Sequence, residues 1–306
     1  MLKVLIALTL TSTCLYSDTQ QNSQNAQEYD KKDGKKEDKE EDNKKEKAKT
    51  GNFALPTSQQ PSPFFSIGQN IVEKGDFLAT GTNVFYKGPC QKFPATTLNL
   101  LYGITDQLSV FFDIPEASKY QHARTITSEV DYVTLGSEYS FYTKEEETHT
   151  KQATVLTTLQ IPYTYIPPIS EAGIQGITYL LGGTAAYMSS LWYLFISGGF
   201  SLTKPKRAHG IFTQFIYENG IGINLGNPDG WIALALFEFN GVYALSFKAP
   251  GQFLPATNLI FWGPGLFLSS KRIILQAGFQ WPIVQTGFTL QSKMDFRAAV
   301  ALTWKF

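Results

Sequence analysis

Residues 295–306, "DFRAAVALTWKF", set Phe296, Ala298, Val300, Leu302, Trp304 and Phe306 on one face of an extended chain and Asp295, Arg297, Ala299, Ala301, Thr303 and Lys305 on the other. Successive side chains of a β-strand point to opposite faces, so this period of two reads as a strand. The pattern recurs through the chain. "TLNLLYG" sets Leu98, Leu100 and Tyr102 against Thr97, Asn99 and Leu101. "QLSVFFDIP" sets Leu108, Val110, Phe112 and Ile114 against Ser109, Phe111 and Asp113, and "RIILQAGFQWP" sets Ile273, Leu275, Ala277, Phe279 and Trp281 against Arg272, Gln276, Gly278 and Gln280. One face is oily; the other is built from Gly, Thr, Ser and Gln with few Lys or Glu.

A soluble sandwich also alternates, with its apolar face inward. Its water-facing side carries charge, however, and here charge is scarce outside one segment. Aromatic residues make up 14% of the chain and gather near strand ends at Tyr142, Trp192, Tyr193, Trp231, Trp281 and Trp304. Girdles of this kind mark the two interfaces of a transmembrane barrel. Inside a bilayer every backbone N–H and C=O must be paired within the protein, so strands span it only as a closed barrel. The expected fold is therefore all-β, a transmembrane antiparallel β-barrel of about twelve strands. These fall near 76–86, 95–103, 107–116, 129–142, 152–164, 177–188, 190–202, 208–220, 230–240, 256–268, 272–283 and 294–306. Tight connections ("ITD", "MSS", "SSK") mostly follow even strands, and longer ones ("YKGPCQKFP", "EASKYQHARTITS", "YIPPISEAGIQG") follow odd ones. An even barrel with both ends in the periplasm gives that pattern, with long loops outside. The uncharged stretch 172–203 is long enough for a membrane helix, but its Gly-Gly pairs and central "MSS" suit a hairpin better.

The opening "MLKVLIALTLTSTCLYS" (1–17) has a lysine, a short apolar run and then small polar residues, the layout of a secretory signal peptide. Acylation at Cys14 would want an apolar residue where Thr11 stands. Residues 18–60 are dominated by Gln, Asn and the mixed charges of "KKDGKKEDKEEDNKKEKAK" (31–49). Such a composition does not bury enough apolar surface to offset the entropy of ordering. A disordered charged arm is expected, serving as spacer, tether or partner-binding segment, with a Lys/Glu-rich helix over 31–49 as the alternative. Residues 61–306 are assigned to the barrel. Within them "PSPFFSIGQNIVEKGDF" (61–77) either enters the lumen as a plug anchored by Phe64 and Phe65 or lies along the periplasmic rim.

Little in the chain points to chemistry. Cys14 and Cys90 make no disulfide framework once a leader is removed, and His122, His149 and His209 lack zinc-ligand spacing, so no metal or cofactor is expected. Lys+Arg and Asp+Glu balance at 26 each, and no basic cluster interleaves with aromatics, so nucleic acid is not an expected partner. An outer-membrane hydrolase would want a nucleophile beside a histidine such as His209; no GxSxG is present, and the chain is not expected to be an enzyme. "NGIGINLG" lacks the spacing of a phosphate loop and reads as a strand-end turn. The informative polar residues are those expected to face the lumen: Asp113, Glu138, Glu218 and Glu238, with Arg272 and Arg297. They form either an ion-pair lattice that shuts and stiffens the barrel or a selectivity ring that meets the solute.

Four segments together, "LYGITDQLSVFFDIP", "LFEFNG" (236–241), "LQAGFQWPI" and the closing "DFRAAVALTWKF", resemble the outer-membrane family named for the MetA pathway of phenol degradation, over about 70–306. The resemblance implies a barrel in the outer membrane of a Gram-negative bacterium, loosely similar to fatty-acid and aromatic-hydrocarbon channels, that passes small or hydrophobic molecules passively. It also implies that Phe306, with Trp304, is the C-terminal signal read by the barrel-assembly machinery. No catalytic residue is carried over. The expected partners are outer-membrane lipid, that machinery and a small, hydrophobic solute, with the barrel as a monomer. A structural or surface-recognition barrel with a closed lumen is the alternative.

Overall fold

The computed structural model describes residues 50–306 except 90, 117–118, 123–124, 129–131, 163–168, 171–172, 175, 206–209, 228–229, 250–251 and 289–292. Twelve long strands form the wall. They are β1 (Phe77–Gly88), β2 (Gln91–Thr105), β3 (Leu108–Glu116), β4 (Tyr132–Glu145), β5 (His149–Pro162) and β6 (Gly176–Ser189), then β7 (Trp192–Pro205), β8 (Phe212–Gly226), β9 (Ile232–Ala244), β10 (Thr257–Ser269), β11 (Ile273–Thr286) and β12 (Phe296–Lys305). Each pairs antiparallel with the next, and β12 returns to β1, from Leu78 opposite Lys305 to Lys87 opposite Phe296. The sheet is closed and leaves no unpaired edge, as a bilayer demands.

The period of two holds along the strands. Leu98, Leu135, Ile196, Phe200, Val300 and Leu302 point outward and are exposed. Their neighbours Asn99, Thr134, Ser197, Ser201, Ala299 and Thr303 point inward and are buried. The outer surface is a continuous apolar band whose natural solvent is lipid. The stretch long enough for a membrane helix is the hairpin β6–β7, with Gly182 opposite Gly199 and Gly183 opposite Gly198. Among the described residues no helix is long and apolar enough to cross a membrane.

Hydroxyl side chains close the short turns. Thr105 Oγ1 accepts the N–H of Leu108 at 3.0 Å, Ser189 Oγ that of Trp192 at 3.0 Å and Ser270 Oγ that of Ile273 at 3.2 Å. The start of β1 and the end of β12 lie at this same short-turn end: the N–H of Phe306 donates to Phe77 O at 3.0 Å. Three expectations need correction. "YKGPCQKFP" is not a long loop: β1 and β2 pair without a break out to Gly88 and Gln91, and the end of this hairpin is paired in turn by residues 121–122, so strand pairing takes up most of the segment. "NGIGINLG" is not a turn but the second half of β8. Gly220 and Gly222 face inward, where a Cβ would collide with Phe195 and Leu234, and the turn comes at Gly226 and Gly230, both at positive φ. Tyr193 is no girdle residue, since it points into the lumen and is buried.

The leader (1–17), Cys14, most of the charged arm (18–49), Cys90 and His209 lie outside the described residues. Residues 50–60, expected to belong to the disordered arm, instead form two single 3-10 turns, Gly51–Phe53 and Thr57–Gln59, packed in the barrel mouth. The charge run stops at Lys49, and the residues after it are neutral and bury readily: Asn52, Leu55, Thr57, Ser58 and Gln59 are all buried.

Candidate functional site

Residues 50–76 form an irregular loop that enters the lumen and leaves it by the same end. From 57 to 72 every residue is buried, although none of them belongs to a strand. The loop enters at the short-turn end, where Asn52 donates its side-chain amide to Ser189 O at 2.9 Å and its backbone N–H to Ser190 O at 2.9 Å. It crosses the barrel at mid-height and returns to the same end, where the N–H of Val72 donates to Ser109 Oγ and that of Lys74 to Asp106 Oδ1, each at 2.9 Å. The reversal is made by two consecutive left-handed residues, Gly68 at φ 90° and Gln69 at φ 63°. Glycine is required at 68, because a Cβ there would strike Thr184 Oγ1.

A backbone without a partner strand must find acceptors elsewhere when it is buried. Three inward-facing glutamates supply them. Glu238, in the middle of β9, accepts the N–H groups of Phe64 at 2.6 Å and Phe65 at 2.9 Å, with the hydroxyl of Ser66 at 3.0 Å. Glu218 on β8 accepts the N–H of Ile67 at 2.6 Å and the hydroxyl of Ser197 at 3.1 Å. Glu138 on β4 accepts the N–H groups of Gln69 and Asn70 at 2.8 Å each, the Asn70 side-chain amide at 2.9 Å and the Thr154 hydroxyl. In Glu238 and Glu138 both oxygens act as acceptors, the pattern of an ionised carboxylate. Such charge-assisted bonds are about twice as strong as neutral ones.

The expected ion-pair lattice does not form. Among the described residues none of Glu138, Glu218 and Glu238 makes a salt bridge to an arginine. Arg297 is fully buried and donates instead to Gln280 Oε1, with Nε at 2.8 Å. Its guanidinium is sandwiched between the rings of Phe65, 4.7 Å away, and Phe261, 4.3 Å away. A chain of amides continues from there, Gln280 Nε2 donating to Asn240 Oδ1 at 2.6 Å and Asn240 Nδ2 to Ser66 Oγ at 2.7 Å. Arg272 lies in the exposed turn between β10 and β11, outside the lumen altogether, because the strand pattern there begins one residue later. Asp113 faces inward and pairs with the Asn99 side chain, away from the loop. Phe64 and Phe65 are both buried in the lumen, their ring centroids 4.8 Å apart. Trp304 and Phe306 lie on the outer, exposed face at the end of the closing strand.

At the mouth Lys305 joins both legs of the loop. Its ammonium donates to Ser58 Oγ at 2.7 Å on the ingoing leg, and meets Glu73 at 3.7 Å and Asp76 on the outgoing one. Burial pushes the Glu73 carboxyl above its ordinary range, with Lys305 opposing that shift. Several contributors are not recognisable from the sequence as a site. The Tyr193 hydroxyl donates to Gln69 Oε1, Thr184 faces the Gly68 turn, and the Phe64 and Phe65 rings fill the space a Cβ on Gly278 would take. Only the inward parity of Gly278, between Gln276 and Gln280, hinted at a close approach. A separate concavity of about 810 Å³, walled by Tyr142, Tyr187, Phe237 and Phe239, lies on the outer surface and belongs to the lipid-facing band.

This arrangement decides the architecture. The chain is a twelve-stranded transmembrane β-barrel with a loop of its own lodged in the lumen. Among solved structures it is similar to the COG4313 outer membrane channel from Pseudomonas putida F1, with TM-score 0.59 and 12% identity, over 76% of this chain and 96% of that one. The NanC porin is a looser likeness, with TM-score 0.48 and 8% identity over 74% of this chain and 100% of that one. At such identities the similarity is one of fold. No family model and no curated protein matches the sequence.

Proposed function

We propose that the protein is a passive outer-membrane channel for small molecules and that residues 50–76 are its gate. The observation that carries this reading is the division of labour between wall and loop. The wall satisfies its own backbone by strand pairing and closes without the loop. Between its backbone anchors at the mouth, the loop is held by side chains, through contacts that water or a solute can replace. The similarity to an outer membrane channel supports the same reading, as does the resemblance of "LYGITDQLSVFFDIP" and "LQAGFQWPI" to the MetA-pathway family. We place the barrel in the outer membrane as a monomer, delivered by its leader and assembled through the Phe306 terminus.

The test uses the full chain with three prolines in the loop, Phe65→Pro, Ile67→Pro and Gln69→Pro. Each removes an N–H that a glutamate accepts, and the wall is untouched. In planar bilayers the native chain is expected to be silent or to flicker, and the triple variant to conduct steadily. A boiled-against-unboiled gel shift establishes that both barrels are folded. Silence from a folded triple variant would favour the alternative, a recognition or structural barrel with a shut lumen.

A further inference from the structure

The three glutamates that hold the gate remain in the wall when the gate leaves, and they say what is to pass. Resting on the channel reading above, we propose that the solute is a small apolar amine or other organic cation, recognised by Glu138, Glu218 and Glu238, and that the loop occupies the lumen as an internal mimic of it.

The charge balance of the wall is the first support. Among the described inward-facing residues of the strands, the acids are Asp113, Glu138, Glu218 and Glu238, all buried, and the one base near mid-height is Arg297. Lys305 is at the mouth and already engaged by Asp76 and Glu73. Buried carboxylates persist only where donors meet them. A purely structural solution would set lysines or arginines beside them on neighbouring strands. This wall gives the glutamates only the hydroxyls of Thr154 and Ser197 and leaves their other donors to a removable segment, so an unplugged lumen carries a ring of three glutamates with one arginine, net acidic, the element that selects cations in pores.

The second support is unused capacity. Glu218 is 1% exposed, yet its Oε1 has no hydrogen-bond partner among the described residues. The loop gives Glu218 one N–H; an ammonium carries up to three donors.

The third is shape. Beside its N–H groups the loop presents Phe64, Phe65 and Ile67, and the wall is cut back to receive them. The phenylalanine rings lie over Gly278, and the Ile67 side chain lies against Gly182. N–H donors next to an aromatic or branched aliphatic body are what an arylalkyl or alkyl ammonium ion offers. An anionic solute would meet three carboxylates of its own sign.

The measurement is the reversal potential of the triple-proline chain under a KCl gradient, repeated with Glu138→Gln, Glu218→Gln and Glu238→Gln added on that background. A several-fold preference for K+ over Cl−, falling toward unity with the glutamines, is expected. Benzylammonium should block the K+ current, and benzyl alcohol and benzoate should not. Conduction without cation preference, or equal block by all three probes, overturns this proposal and leaves the channel reading standing. No conduction from a folded variant overturns both. The native chain gives an independent reading by hydrogen exchange. Millimolar benzylammonium should speed exchange of the Phe64–Asn70 amides several-fold relative to benzyl alcohol, and an unchanged rate counts against the proposal.

Discussion

The wall and the loop solve one problem in opposite ways. Both bury backbone away from water. In the wall, Val300 lies opposite Asn83 on one side and Ala277 on the other, so its peptide groups are paired whatever side chain it carries. In the loop, the N–H of Phe65 has a partner only because residue 238 is a glutamate. The first arrangement tolerates sequence change and is indifferent to individual residues; the second is specific and can be undone one residue at a time. A closed barrel with a side-chain-held insert can therefore change its lumen while its wall stands.

Substitutions on the two sides should separate accordingly. Glu238→Leu leaves the N–H groups of Phe64 and Phe65 and the Ser66 hydroxyl without acceptors, and should cost docking of the loop on the order of 4 kcal/mol. Limited proteolysis within 61–72 should then begin in the folded state, with the heat-shift temperature of the barrel close to native; a barrel that melts along with the loop would erase the distinction. Val300→Arg is the converse. An arginine facing lipid near mid-strand should destabilise the wall by about 2–4 kcal/mol, seen in urea unfolding from vesicles, with native protection of the loop amides up to the unfolding transition. Gly278→Val sharpens the contrast, because it places bulk where the Phe64 and Phe65 rings lie. Overpacking of about 1–3 kcal/mol should fall on the loop, read as faster exchange at Phe64 and Phe65 and little change in barrel unfolding.

The same difference explains what could be read in advance. Parity of side chains specified the wall: twelve strands, the inward face of Glu138, Glu218, Glu238 and Arg297 and the outward face of Trp304 all follow from a period of two. Turn-type residues were the weaker guide. Gly220 and Gly222 look like turn residues, and serve as clearance for Phe195 and Leu234. Arg272 has the parity of the lumen but stands one residue outside β11, and only the turn geometry decides that. The site was legible as separate halves. "PSPFFSIGQNIVEKGDF" reads as a plug or a rim segment, and the glutamates read as lumen residues. That one half holds the other was not legible, because the link is backbone N–H to carboxylate, and backbone donors leave no mark in a sequence. Opposite charge makes Arg272 and Arg297 the obvious partners in the sequence, whereas in the structure peptide groups take the acceptors.

Asn52 and Lys74 are anchored at the same mouth, Asn52 to Ser190 and Lys74 to Asp106. The segment between them is thus topologically a bight pushed into a sleeve, not a thread drawn through it. No free end has to travel the length of the pore for it to come out, and no rung of the barrel has to break. On the gated reading proposed above, withdrawal and reinsertion are the same path run in two directions, and opening would repeat without any step of refolding.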